Sequence, residues 1–280
     1  TKTSPGNESE MPRIKVDSIS LNYELSGPGP VVVFINGLTM DLNGWLFQVA
    51  PFARRYTVLR YDCRGQGASD KPDGPYSQKM HAEDLAGLMD ALGIEKAHVA
   101  GLSNGGMIAQ HFALLYPEKL GALVLTDTSS HVKPLLRLTI ESWIKAAEAG
   151  GSALRYDVAL PWLFSESFTE KNLEKLLAMR ETNIINNPVR TLVNLSRASA
   201  AHDLKDWVSG IKAPTLIVSG EEDILIPPKY ARELREKIKG STLVILKDCG
   251  HAPPIEKPEE FNEIALEFLK KHDGLLKSAG

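Results

Sequence analysis

Ala97-His98-Val99-Ala100-Gly101-Leu102-Ser103-Asn104-Gly105-Gly106-Met107-Ile108 is the stretch from which the fold can be read. Residues 97–102 form a short, largely apolar run of strand type, and Asn104–Tyr116 has the patterning of a helix. Ser103 therefore stands at a sharp strand-to-helix turn. Such a turn strains the backbone of its central residue and lifts the side chain above the sheet. Neighbours two positions away must then be small, as Gly101 and Gly105 are. The bare Gly-x-Ser-x-Gly pattern arises by chance in roughly one chain of this size in ten. The strand before it and the helix after it are what make it informative.

Outward from this turn, short apolar runs alternate with amphipathic ones. Arg13–Ser18 and Ile19–Leu25 alternate with period two and predict a hairpin. Val31–Ile35, Thr57–Tyr61 and Ala122–Thr126 are continuous apolar or β-branched runs, as expected of strands buried on both faces. Helices are expected over Gly44–Ala53 and Ser77–Leu92. After Ala213 the order is strand Thr215–Ser219, helix Pro228–Lys239, strand Thr242–Leu246 and helix Pro258–Lys271. This alternation implies right-handed crossovers and a mostly parallel eight-stranded sheet with helices on both faces, an α/β fold.

Residues 129–212 break the rhythm. They offer no strand, only helical segments such as Pro134–Ala149, Thr169–Asn183 and Pro188–Ser199, in a stretch far longer than one crossover needs. They are read as a helical cap inserted into a core of residues 11–128 and 213–280. Residues 1–10, polar and without an apolar segment, are read as a disordered extension or cloning scar ahead of a start at Met11.

Composition narrows the classes. Lys and Arg number 32 against 35 Asp and Glu, a net charge of -3 with no dense basic run, which argues against nucleic acid as a partner. No run of about 18 apolar residues is present to span a membrane, and a cytoplasmic location is the expectation. The two cysteines, Cys63 and Cys249, lack CxxC or metal-type spacing and are expected as free thiols. Gly65-Gln66-Gly67 is followed at once by no helix, so a dinucleotide loop is excluded; P-loop and HExxH patterns are absent. No cofactor and no metal are implied.

A serine hydroxyl needs a base, and the base needs an orienting acid. His81 and His111 fall in expected helices, His98 in a strand, His131 and His202 in the insert and His272 in the tail. His251, in Cys249-Gly250-His251-Ala252-Pro253, lies in a loop after a late strand, where it can reach over the strand ends. In Gly220-Glu221-Glu222-Asp223 the acid chosen is Asp223, which precedes the apolar turn Ile224–Pro227; Glu221 and Glu222 are expected to face solvent. Asp127, at the end of another strand, is a competitor.

The order Ser103, Asp223, His251, the segment Tyr61–Asp70, and the Pro214–Asp223 and Gly250-His251-x-Pro253 segments together resemble the α/β-hydrolase superfamily over almost the whole chain. The nearest resemblance is to capped serine carboxylesterases and enol-lactonases, which use no cofactor. It implies a nucleophile elbow at Gly101–Gly105, acyl transfer through Ser103, and a small-molecule ester substrate. A lactone is the alternative; carbon–carbon bond hydrolysis, perhydrolysis and a non-catalytic receptor rank behind, and a homodimer is left open. Serine at position 103 excludes an aspartate-nucleophile dehalogenase or epoxide hydrolase. Backbone amides of Asn104 and Leu38 are expected to bind the oxyanion. In the loop that holds Leu38, relatives usually carry His where this chain has Asn36. Trp143, Trp162, Phe164 and Phe168 are assigned mostly to the cap's own core, and Trp162, Leu163 and Ile226 to the substrate pocket.

Overall fold

The computed structural model describes residues 12–276. The expectation for residues 1–10 lies outside that range. Strands β1 (Arg13–Val16) and β2 (Ile19–Ser26) form the hairpin, with Val16 opposite Ile19 across a two-residue turn. The first strand stops short of its expected end because Asp17 turns the chain at a φ of 51°. There follow β3 (Val31–Ile35), helix α1 (Leu46–Ala53), β4 (Thr57–Tyr61), α2 (Gln78–Ala91), β5 (Ala97–Leu102), α3 (Asn104–Leu115) and β6 (Leu120–Thr126). Ser77 caps α2 by accepting the Met80 amide at 3.1 Å.

Between β6 and the next strand lie three long helices, α4 (Pro134–Ala159), α5 (Glu166–Asn186) and α6 (Val189–Ala200). The first comprises two helical runs: the backbone leaves helical geometry at Gly150 (φ -138°) and Gly151 (φ 75°), just past the expected end at Ala149, and a second run continues to Ala159. The two ends of this insert are pinned together: Val132 donates to the His202 carbonyl at 3.1 Å and Leu204 to that of Ser130 at 2.7 Å. The chain then completes β7 (Thr215–Gly220), α7 (Pro228–Lys237), β8 (Thr242–Leu246), the one-turn α8 (Pro253–Glu256) and α9 (Pro258–Lys270).

The eight strands are ordered β1-β2-β4-β3-β5-β6-β7-β8, antiparallel at β1-β2 and β2-β4 and parallel elsewhere. Every residue of β5, β6 and β7 is buried, the physical basis of their continuous apolar runs. Period-two alternation divides β3 between the two faces of the sheet. Val33 and Ile35 join the core formed with Leu85, Ile108 and Phe112, while Val32 and Phe34 join Trp45, Phe52 and Phe261 on the other side. A third apolar cluster bridges the insert and the core; it unites Met107 and Ile226 with Trp143, Ile140 and Ala159. Among the described residues no helix is long and apolar enough to cross a membrane.

Candidate active site

Ser103 follows the last residue of β5 at φ 56°, ψ -116°, and begins α3. A non-glycine residue in that region costs about 1–3 kcal/mol, so the surroundings must impose it. They do so by fixing both sides of the residue. The Ser103 amide donates to the Thr126 carbonyl at 2.8 Å, and its carbonyl accepts from Thr128 Oγ1 at 2.8 Å and the Met107 amide at 3.1 Å. The flanking glycines allow backbone to pack on backbone: a Cβ at position 101 would stand 2.3 Å from the Gly105 carbonyl oxygen, and one at 105 only 2.2 Å from that of Ile35. The hydroxyl caps no amide of its own helix and is only half-buried, so it is left available.

Asp223 and His251, 28 residues apart, meet in a buried hydrogen bond of 2.7 Å between Oδ2 and Nδ1. The other carboxylate oxygen, Oδ1, accepts the amides of Leu225 at 2.8 Å and Ile226 at 2.9 Å, so the apolar turn fixes the acid's orientation. An ionised carboxylate only accepts, so this bond fits the tautomer with the proton on Nδ1 and a lone pair on Nε2. No hydrogen bond joins Ser103 Oγ to His251 here; contacts of this kind in unliganded sites are often long and tighten when a ligand binds. Glu221 and Glu222 are exposed, as expected.

The competing acid, Asp127, stands beside this pair at a φ of 39°. Its Oδ1 accepts the Gly220 amide at 3.0 Å, but its Oδ2 is buried without a partner. Burial, reinforced by the neighbouring Asp223 charge, pushes its carboxyl well above the usual carboxylate range. It is Asp223, and not Asp127, whose carboxylate is hydrogen-bonded to the imidazole. One polar atom each from Asp127, Asp223 and His251 lies within 4.8 Å of the others, near enough to enclose a cation. Metal ligands must be deprotonated, however, and here one carboxyl is held towards its neutral form while the other two groups are committed to each other.

The Leu38 loop is fixed from two sides. From the core, Gln66 Nε2 donates to the carbonyls of Gly37 and Met40, both at 2.7 Å, and Asn36 Nδ2 donates to the Tyr61 carbonyl at 3.0 Å. Asn36 thus anchors the loop to β4 instead of facing a substrate. From the insert, Asn187 Nδ2 donates to the Thr39 carbonyl at 3.2 Å, and Arg155 Nη1 to Thr39 Oγ1 at 3.0 Å. Among the described residues the Leu38 amide meets no acceptor. The Asn104 amide belongs to the first turn of α3, where helical N–H groups lack intrahelical partners and favour negative charge.

Three residues at this site were not read from the sequence: Arg155, Asn187 and Glu256. Glu256 Oε2 accepts the Gly250 amide at 3.0 Å and, from the insert, the Ser165 amide at 3.0 Å; Oε1 accepts Ala252 at 3.3 Å. It brackets His251 on both sides and ties its loop to the start of α5. Gly250 permits the approach, since a Cβ there would lie 2.3 Å from the Ser165 nitrogen. The signal was present in Pro253-x-x-Glu256: an acid at the end of a first helical turn reaches back to the amides before it.

Of the expected pocket residues, Ile226 is buried in the insert–core cluster, and Trp162 and Leu163 pack against it half-buried, as does Leu38. Trp143 is buried in the same cluster, while Phe164 and Phe168 stack on each other with ring centres 5.2 Å apart. Both cysteines are free and buried. Burial raises the Cys63 thiol to about 12 and pushes Cys249 up as well, which disfavours a reactive thiolate.

The family model for the alpha/beta hydrolase fold matches residues 30–258. The chain is 30% identical over 257 residues to 3-oxoadipate enol-lactonase 1 of Acinetobacter baylyi, covering 90% of this chain and 93% of that protein. It is 31% identical over 288 residues to 2-hydroxy-6-oxo-6-phenylhexa-2,4-dienoate hydrolase of Comamonas testosteroni, covering 97% and 99%. The solved enol-lactonase of Burkholderia xenovorans superposes with a TM-score of 0.87 at 31% identity, over 92% of this chain and all of the other. With the sheet order, the serine turn and matches of this length in agreement, the chain belongs to the α/β hydrolase fold family.

Proposed function

We propose that this chain is a serine hydrolase of carboxylic esters, with Ser103 as nucleophile, His251 as general base and Asp223 as its orienting acid. The observation that carries this reading is the 2.7 Å hydrogen bond from His251 to Asp223 in the loops after β8 and β7, in a fold whose β5 leads into a serine held at positive φ with its hydroxyl free. Nε2 of His251 takes the Ser103 proton as Oγ attacks the carbonyl, and Asp223 stabilises the imidazolium that forms. The Leu38 and Asn104 amides bind the oxyanion, each worth about 3 kcal/mol of barrier. His251 then protonates the leaving alcohol, and a water activated by the same imidazole hydrolyses the acyl-enzyme. Residues 129–212 act as a cap over this site, with Trp162, Leu163 and Ile226 contributing its apolar lining.

A lactone is the second reading, supported by enol-lactonases among the similar proteins. It uses the same steps, except that the leaving alcohol stays attached to the acyl group. Ser103→Ala is expected to abolish ester turnover and labelling by a fluorophosphonate while circular dichroism and melting stay native. Undiminished hydrolysis by the folded variant would overturn the assignment. Parallel kcat/KM values for p-nitrophenyl esters and lactones decide between the two readings; fast lactone opening beside weak ester turnover selects the second.

A further inference from the structure

Arg155, on α4, is a buried cation without an acidic partner among the described residues. It is one of two buried arginines among the described residues, at 3% exposure. The other, Arg60, is paired with Glu24 and donates to the Leu42 carbonyl. Arg155 has a single hydrogen bond, from Nη1 to Thr39 Oγ1, and its guanidinium carbon lies 5.0 Å from the centre of the Trp143 ring. Its Nε is buried with no acceptor. No carboxylate among the described residues comes within ion-pair distance of it. Burial alone pushes the guanidinium down to about 10.

An unpaired buried charge is strongly unfavourable, and folded chains pair such groups or leave them for a ligand. The position of Arg155 identifies the ligand. Thr39, which it touches, follows Leu38, and Trp143, on which it lies, belongs with Met107 and Ile226 to the insert–core cluster against which Leu38 packs. The cation therefore adjoins the loop assigned to the oxyanion, which would hold the acyl carbonyl. A guanidinium in apolar surroundings is suited to a planar carboxylate, which it binds through two parallel N–H groups.

We propose that Arg155 recognises a free carboxylate on the acyl side of the substrate, so that the natural substrate is an acid-bearing ester or lactone. This rests on the serine-hydrolase reading above and names its substrate class. The carboxylate supplies the charge that Arg155 lacks, and binding it also fixes Thr39 and the adjoining Leu38 amide.

The test uses the full chain and esters with stable methanol leaving groups: monomethyl succinate, glutarate and adipate, each against its dimethyl ester, followed by proton release at constant pH. The wild-type protein is expected to favour at least one monoester over its diester by roughly 10- to 100-fold in kcat/KM, the range of a charged hydrogen-bonded contact. Arg155→Met is expected to bring that ratio to one or below, and Arg155→Lys, which keeps the charge, to retain part of it. Because the wild-type comparison needs no variant, it stands even if Arg155→Met fails to fold. Diesters hydrolysed as well as monoesters at all three lengths overturn the proposal and leave the serine-hydrolase reading intact. So does a monoester preference that survives in folded Arg155→Met. Absence of turnover of every ester, with no fluorophosphonate adduct on Ser103, overturns both.

Discussion

Removing Glu256 tests whether the loop that holds His251 is positioned from outside the triad. Its carboxylate accepts three backbone amides, from Gly250, Ala252 and Ser165. A hydrogen bond to a charged group contributes about 1.5–3 kcal/mol when well formed, and an amide left unpaired in a part-buried position costs about 1–3 kcal/mol. The Ala252 contact, at 3.3 Å, is the weakest of the three. Glu256→Ala should therefore cost roughly 3–5 kcal/mol in total, the half-buried site allowing water to replace part of the loss. At about 2–3 °C per kcal/mol for a domain of this size, the melting temperature should fall by roughly 6–15 °C. Glu256→Gln keeps one acceptor oxygen for Gly250 and Ser165 but turns an NH2 towards Ala252, and should cost about 1–2 kcal/mol. Catalysis should suffer through His251: a shift of about 1 Å in a catalytic group can cost about 100-fold. Steady-state hydrolysis of p-nitrophenyl butyrate should show kcat down by about that factor in Glu256→Ala, with KM changed much less and activity partly recovered in Glu256→Gln. An Ala variant that melts with the wild type and keeps its kcat would refute the reasoning.

Other perturbations separate the neighbouring acids and test the buried histidines. Asp223→Asn keeps an acceptor for the Leu225 and Ile226 amides but presents an NH2 to His251 Nδ1, selecting the wrong tautomer; kcat should fall about 10,000-fold with the fold retained. A smaller loss than in Asp127→Asn would reverse the two assignments. Asp127 has its folded pKa raised, so the folded chain keeps a proton that the unfolded chain releases, and stability is lost as pH rises above the ordinary carboxylate range. Asp127→Asn should therefore gain on the wild type in melting temperature between pH 5 and pH 8; an equal difference at both values would count against a neutral Asp127. His81 and His202 are buried, and desolvation lowers both to about 3. Their sign is opposite: the stability is fully present above the ordinary histidine value and is lost as pH falls below it. At pH 5 each should cost about 2 kcal/mol, so denaturant midpoints should drop steeply between pH 7 and pH 5, and less so in His81→Gln.

The sequence by itself determined the sheet and the serine turn. Strands buried on both faces must be apolar throughout, so β5, β6 and β7 could be placed within two residues of their ends. The elbow was legible because backbone packs on backbone there and no residue but glycine fits at 101 and 105. Asp223 and His251 could be chosen by position, as polar residues just beyond strands whose ends share one edge. Other features depend on groups far apart in the chain. Asp127 stood behind Asp223 as a competitor, and only the fold shows that Asp223 meets His251 while Asp127 accepts the Gly220 amide, because these contacts join strands far apart in the chain. The break in α4 at Gly150 and Gly151 was legible, but the second helical run that carries it on to Ala159 was not, because two adjacent glycines signal a stop. Arg155 could not be recognised at all from the sequence, where it is one arginine on an amphipathic helix. Only the fold shows that it is buried on Trp143 beside the Leu38 loop, with no carboxylate among the described residues in ion-pair distance, because burial and pairing are properties of the packed chain.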